Sequence, residues 1–284
     1  MATESDRVKS ANAAYWDNNA SRWRGLDLPS ETDIRALSEL LGCGPGSHVF
    51  DAGCGTGQWG VALALAGYQV RGIDISPGMI AAARDRAAGY ALGEDAASFQ
   101  VGDLDATGYP DASFDAIMCR LVLDFVPSPG QVLTEFRRVL RPGRRLVLWV
   151  LGAASPVKRD DWRRYLPGAS GPSVRNQLLP WEAEALLDEL GWEISSQVPE
   201  FERSVSGKGN RFSAEMATQL SDRVLQQAIA TSWRFVAKRP EDARRRRQPG
   251  CPDPTPMRWV GSAVGPNPDP FAATKAESAP RSGP

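Results

Sequence analysis

The chain has 284 residues, a formal net charge of −1 and 24% charged residues, a balance that gives no general pull toward nucleic acid or a membrane surface. No apolar run reaches the length of a membrane span, and the polar N-terminus Met1-Ala-Thr-Glu-Ser-Asp-Arg is unlike a signal peptide, so a cytoplasmic protein without membrane contact is expected. Cys43, Cys54, Cys119 and Cys251 lack metal or redox spacing, which argues for reduced thiols and against a zinc site.

This length predicts one large α/β domain with room for a modest insertion. Residues 1–29 read as an N-terminal cap segment that includes Tyr15-Trp16-Asp17-Asn18-Asn19-Ala20-Ser21-Arg22-Trp23. A helix follows, capped by Ser30, apolar on one face through Ile34, Leu37 and Leu41, and closed by Gly42. Strand and helix then alternate. Strand 48–50 leads to helix 57–66, and strand Tyr68–Ile73 leads to a helix begun by Ser76-Pro77. Strand Ser98–Val101 is next. Strand Phe114–Met118 precedes a helix from Ser128-Pro129 to Leu140, ended by Arg141-Pro142-Gly143. Leu146–Leu151 is a continuous apolar run, as a central parallel strand requires. Such alternation predicts a parallel sheet with helices on both faces.

The rhythm then loosens. Residues 152–178 read as a loop or short lid, followed by helix Trp181–Leu190 and strand Trp192–Val198. Residues 199–212 look irregular, Ser213–Ala230 is a helix candidate, and 231–238 alternates as a last strand should. The domain therefore spans 30–238, with lid insertions at about 152–178 and 199–230. Ten of the 22 prolines fall in 239–284, which reads as a disordered Pro-rich tail, and the run Arg244–Arg247 within it as a solvated charge cluster rather than a nucleic-acid site.

The chemistry concentrates where the first strand ends. Asp51 closes it, and Gly53, Gly55 and Gly57 follow at every second position before a helix. Glycine lets such a loop turn sharply and lets a ligand touch its backbone, while the helix N-terminus offers free N–H groups. Two registers fit. Gly55-Thr56-Gly57-Gln58-Trp59-Gly60 matches a dinucleotide fingerprint, with Asp74 near the expected distance for a ribose acid. Asp51-x-Gly53-x-Gly55-x-Gly57 instead sets a carboxylate at the strand end, which sits poorly beside a pyrophosphate but suits a cationic ligand. In this second register the segment resembles the first motif of class I S-adenosylmethionine-dependent methyltransferases.

Further residues carry the same resemblance. Asp74 follows the second strand, where a carboxylate accepts from both ribose hydroxyls. Asp103, in Gln100-Val-Gly-Asp103-Leu104, resembles the acid that accepts from the adenine amine. The fourth strand runs through Arg120-Leu121-Val122-Leu123-Asp124 into the loop under the methionine part, and Leu140-Arg-Pro-Gly-Arg-Arg resembles the segment before the fifth strand. The chain is most similar to small-molecule enzymes of the ubiquinone-biosynthesis-like group, and lacks the Asn/Asp-Pro-Pro-Tyr segment after the fourth strand, which argues against amino-methylation of DNA bases or protein glutamine. The resemblance implies a doubly wound seven-stranded sheet in the order 3-2-1-4-5-7-6 with the last strand antiparallel. It implies cofactor contacts at Tyr15, Asp51, Gly53, Gly55, Asp74, Ile75, Met79, Asp103, Leu104 and Arg120. It makes Tyr15 and Asp124 the candidates for a part in the chemistry. A monomer or homodimer acting on a small molecule is expected.

Methyl transfer from a sulfonium needs alignment above all, and a general base only when the acceptor must lose a proton. The one histidine, His48, lies at the start of the first strand, ~10 Å from the reacting end at about 3.3 Å per residue. An imidazole base is therefore excluded. Acceptors that need no strong base rise in rank: an electron-rich aromatic carbon, a ring nitrogen or a carboxylate. A phenol requires Tyr15, Asp17 or Asp124 to take the proton. Nine tryptophans, with Trp16, Trp23, Trp162 and Trp181 in cap and lid regions, favour a planar aromatic or heteroaromatic acceptor such as an indole-like ring. The rival readings are O-methylation of a phenol or carboxylate, a nicotinamide-dependent oxidoreductase using the Gly55–Gly60 register, and a protein that binds the cofactor without turnover.

Overall fold

The computed structural model describes residues 2–152, 176, 178–200 and 232–241. The expected helix Ser213–Ala230, Trp162, nearly all of the 152–178 insertion and the tail beyond Glu241 lie outside the described residues.

Helix α1 (Glu4–Arg24) begins earlier than the aromatic stretch that marked the cap. Thr3 and Asp6 form a reciprocal capping box, each side chain accepting from the other's backbone N–H. Helix α2 (Glu31–Leu41) has the same device in Ser30 and Asp33, and ends at Gly42 with φ +66°. The alternating body follows as β1 (His48–Ala52), α3 (Gln58–Leu65), β2 (Gln69–Asp74), α4 (Pro77–Gly89), β3 (Ala97–Val101) and β4 (Phe114–Arg120). A 3-10 turn, Leu123–Phe125, leads to α5 (Pro129–Val139) and β5 (Leu140–Leu151). Helix α6 (Pro180–Glu189), β6 (Glu193–Glu200) and β7 (Ser232–Lys238) complete the described elements.

The seven strands form one open sheet in the order β3-β2-β1-β4-β5-β7-β6, and β7 runs antiparallel to both its neighbours. The order and the reversed last strand agree with the expectation. Alternation along β4 shows why the strands read as apolar runs. Ile117 and Cys119 pack with Val132, Leu133 and Phe136 of α5, while Ala116 and Met118 pack with Ile34, Leu37 and Leu41 of α2. Both faces are covered, so nearly every β4 position is buried.

Two boundaries differ from the expectation. Strand β5 starts at Leu140 rather than Leu146, because Leu140 already pairs with Phe114 before the register jumps to Ala116 and Arg145. The extra residues between form a bulge that turns at Gly143, φ +77°. Strand β6 continues to Glu200, into the stretch expected to be irregular, because Pro199 and Glu200 still pair with Trp233 and Ser232. Among the described residues no helix is long and apolar enough to cross a membrane.

Candidate cofactor and acceptor site

The carboxyl ends of β1, β2, β3 and β4 converge beneath α1 and enclose a cavity of about 270 Å³. This is the switch point of the sheet, where β1 connects toward β2 on one side and β4 pairs on the other, and where open α/β sheets bind ligands.

The glycine loop forms its floor. Gly53 and Cys54 both donate to the Ile73 carbonyl, at 2.8 and 3.0 Å, which pulls the loop across the end of β2. Gly53 has φ +72°, and a Cβ there would run into the Val122 side chain. No residue but glycine fits that position. Gly57, φ +74°, then starts α3 by accepting from Val61 N–H at 2.8 Å.

Asp74 ties this loop to the second strand. One carboxylate oxygen accepts from Gly55 N–H at 2.9 Å and the other from Ser76 N–H at 3.0 Å. Burial raises its pKa, against the pull of those two N–H groups. A carboxylate has about four lone-pair sites, so each oxygen keeps one for a ligand hydroxyl. The same bond bears on the dinucleotide register, since the Gly55 amide expected to face a pyrophosphate is already engaged by an acid.

Asp51 and Arg120 sit at the methionine end expected from the resemblance. Asp51 is 4% exposed, and its Oδ2 is buried without a hydrogen-bond partner among the described residues. Burial pushes its pKa up to about 7, although the Arg120 charge works the other way. The Arg120 guanidinium lies 3.9 Å from the Trp59 ring centroid and 5.1 Å from that of Trp149, and its buried Nε has no hydrogen-bond partner among the described residues. Burial lowers its pKa to about 10. A buried acceptor and a buried donor left open on one cavity wall fit a zwitterionic amino-acid group, whose ammonium and carboxylate would satisfy them.

At the other end Asp103 pairs with Lys9 of α1 at 2.5 Å, and Lys9 also reaches Asp105 at 2.6 Å. Ile75, Met79 and Leu104 line the apolar wall between the acids, and Val122, Phe125 and Val126 continue it beyond β4. Leu121, also in the lining, has φ +58°, a strained conformation for a side chain of that size.

The cavity gathers Asp51, Gly53, Gly55, Asp74, Ile75, Met79, Asp103, Leu104 and Arg120, and leaves out two expected residues. Tyr15 is not in the lining; it is 37% exposed and its ring meets Trp16 edge-on, at 5.1 Å between centroids. Lys9, Asn12, Trp16 and Trp23 face the cavity instead. Their spacing follows one side of a helix of 3.6 residues per turn, and Tyr15 stands about 100° away from Trp16. Asp124 is fully buried below the turn, where its Oδ2 accepts from Leu151 N–H at 3.0 Å. Asp17 does not line the cavity either: it caps α4 from outside, accepting from Ser76 Oγ and from Gly78 N–H at 2.8 Å. Trp181 is exposed on α6 away from the lining, whereas Trp59 belongs to it. His48 lies at the opposite end of β1, its N–H donating to Asp115. Lys9 and Asn12 escaped sequence reading because neither type is rare on a solvated helix, although their spacing from Trp16 was a usable signal.

Residues 50–148 match a family described as a methyltransferase domain. The chain is 34% identical over 129 residues to a malonyl-[acyl-carrier protein] O-methyltransferase of Serratia marcescens, covering 44% of this chain and 48% of that one. It thus spans about half the length of that curated relative. Among solved structures it is similar to magnesium protoporphyrin IX methyltransferase from Synechocystis PCC 6803 with bound SAH, at TM-score 0.58 and 21% identity, covering 82% of this chain and 99% of that one. A [4+2]-cyclase has the same fold, at TM-score 0.54 and 24% identity, with 74% and 82% covered.

Proposed function

From a chain that carries a class I S-adenosylmethionine-dependent methyltransferase domain, we propose that the whole protein methylates a small aromatic or heteroaromatic molecule, an indole-like ring for example, on carbon or nitrogen. S-adenosylmethionine supplies an electrophilic methyl group when bound. Asp74 and Asp103 would hold its ribose and adenine, and Asp51 and Arg120 its amino-acid end. The chain's own part is then to align an acceptor and keep water out, a contribution worth ~7–11 kcal/mol in well-oriented systems.

One observation carries the choice of acceptor. Among the described residues the ionisable side chains lining the cavity are Lys9, Asp51, Cys54, Asp74, Asp103 and Arg120. The acids are committed to the cofactor in this reading, burial raises the Cys54 thiol well above its ordinary value, and Tyr15, Asp17 and Asp124 point elsewhere. A phenol or alcohol would find no base to accept its proton, whereas an electron-rich carbon or a ring nitrogen needs none at the moment of attack. Trp16, Trp23 and Phe125 offer flat apolar surface for such a ring. A bacterial secondary-metabolic role accords with this acceptor class.

The O-methylating relative supports a second reading, transfer to a carboxylate, which also needs no strong base. Purified protein offered S-adenosylmethionine and a mass-spectrometric panel of indoles, pyridines, phenols and carboxylic acids separates the two. Methylation of ring carbon or nitrogen is the expected result. Turnover of carboxylates alone would replace the first reading with the second, and cofactor binding without any turnover would favour chemistry of another kind.

A further inference from the structure

Helix α1 roofs the cavity, yet almost nothing apolar holds it there. Of its 21 residues only Asn12 and Ala20 are buried. Among the described residues its attachments are mostly polar and fall at three places along the cavity. Lys9 binds Asp103 and Asp105 at the end of β3. Asn12 donates from its side chain to the Phe125 carbonyl, next to the edge contact of Trp16 with Phe125 at 5.0 Å. Asp17 accepts from Ser76 and Gly78, and the backbone at the far end, Trp23, Arg24 and Leu26, accepts from Thr56 and Arg86. An element tied by hydrogen bonds and ion pairs rather than by apolar burial opens at low local free energy.

Among the described residues Lys9 is the attachment that joins the roof to an acid of the nucleoside end. Its side chain is about one-fifth exposed, and although burial works against the charge, its bonds to Asp103 and Asp105 outweigh that and raise the pKa. Lys9 therefore stays cationic, and without it Asp103 and Asp105 would be left as like charges with no counter-ion from α1.

We propose that α1 is a gate on cofactor exchange and that the pairing of Lys9 with Asp103 and Asp105 is its latch. The proposal rests on the cofactor reading above, and deepens it by naming how the cavity is entered. Closed, the latch holds Lys9, Asn12 and Trp16 over the ligand; entry and exit both require it to part. A latch differs in its kinetics from an ordinary ligand contact. Loosening a contact speeds dissociation alone, whereas loosening a gate speeds association and dissociation together.

The test follows S-adenosylhomocysteine binding by stopped-flow tryptophan fluorescence in the wild type, K9M, K9R and D105N, the last leaving every lining residue in place. Hydrogen exchange of residues 4–24 is measured in parallel without ligand. Both rate constants should rise roughly three- to ten-fold in K9M and less in D105N, the range expected for a partly exposed ion pair to two carboxylates. K9R should stay near the wild type, α1 amides should exchange faster in K9M, and added salt should speed the wild type toward K9M. A faster off-rate with unchanged on-rate and unchanged exchange would reduce Lys9 to a ligand contact and overturn the gate, as would no change at all. If the wild type does not bind S-adenosylhomocysteine, the cofactor reading fails first; if it binds and K9M behaves as the wild type, only the latch fails.

Discussion

Helices α1 and α2 begin with the same device and are held in opposite ways. Each starts with a hydroxyl residue and an aspartate in a reciprocal capping box, Thr3 with Asp6 and Ser30 with Asp33. Beyond that cap, α2 buries Ile34, Leu37 and Leu41 against the sheet, while α1, almost twice as long, buries only Asn12 and Ala20. Helix length is therefore no guide to anchoring. What anchors an element is the apolar area it removes from water, at about 25 cal/mol per Å². The contrast divides labour: α2 belongs to the scaffold that fixes the strand ends, and α1 is a cover whose polar ties are exchangeable for water.

The comparison is broken or sharpened by a graded set of substitutions. Leu37→Ala should lower global stability by ~2–5 kcal/mol in urea unfolding, because it leaves a cavity under α2. No single change on α1 should approach that cost; a loss of similar size from Asn12→Ala would show that α1 is part of the core. Asp74→Ala should weaken S-adenosylhomocysteine binding by ~1.5–3 kcal/mol in calorimetry, the scale of hydrogen bonds to a charged group. Unchanged affinity would remove Asp74 from the site.

Proton linkage gives a third, smaller effect. The free protein holds Asp51 at a pKa of about 7, above its ordinary value of 3.8, so its contribution to stability is complete at acidic pH and is lost as pH rises toward 7. A ligand ammonium beside Asp51 favours the carboxylate. Binding should therefore release a proton below pH ~7, and affinity should climb as pH rises and level off above that value. Asp51→Asn should flatten the profile, and an affinity that falls over the same range would contradict the assignment.

The matched caps supply the finest contrast. Ser30→Ala should cost ~1 kcal/mol of global stability, the usual worth of such a cap. Thr3→Ala removes the matching bond from the Asp6 N–H to the cap hydroxyl, yet should leave global unfolding almost unchanged and speed hydrogen exchange only within residues 4–24. Equal losses from the two would erase the distinction.

How much of this was legible in the sequence follows from where each signal resides. The sheet order came from the family resemblance that the acids and glycines at strand ends carry, and Asp51, Gly53, Gly55, Asp74 and Asp103 all reach one cavity because successive parallel strands end on the same edge. Helix α2 was legible because its apolar residues repeat with the turn of the helix. The face of α1 was not, since it is polar and its partners lie far along the chain, Lys9 and Asp105 being 96 residues apart. Tyr15 and Trp16 differ by one position, which on a helix changes the face, and it is Trp16 that lines the cavity. Asp124 lies away from the lining for a different reason: Leu121 turns the backbone through φ +58°, and the 3-10 turn that follows carries the carboxylate into the core. Local strain of that kind leaves no mark on a pattern of residue types.

The cavity suits a sulfonium cofactor rather than a dinucleotide, because Asp74 already holds the Gly55 amide. Isothermal titration of the purified protein with S-adenosylhomocysteine, and separately with NAD and NADP, tests this most directly. One-to-one binding of S-adenosylhomocysteine and no heat from either dinucleotide is the expected result. Binding of a dinucleotide, with none of S-adenosylhomocysteine, would contradict the account.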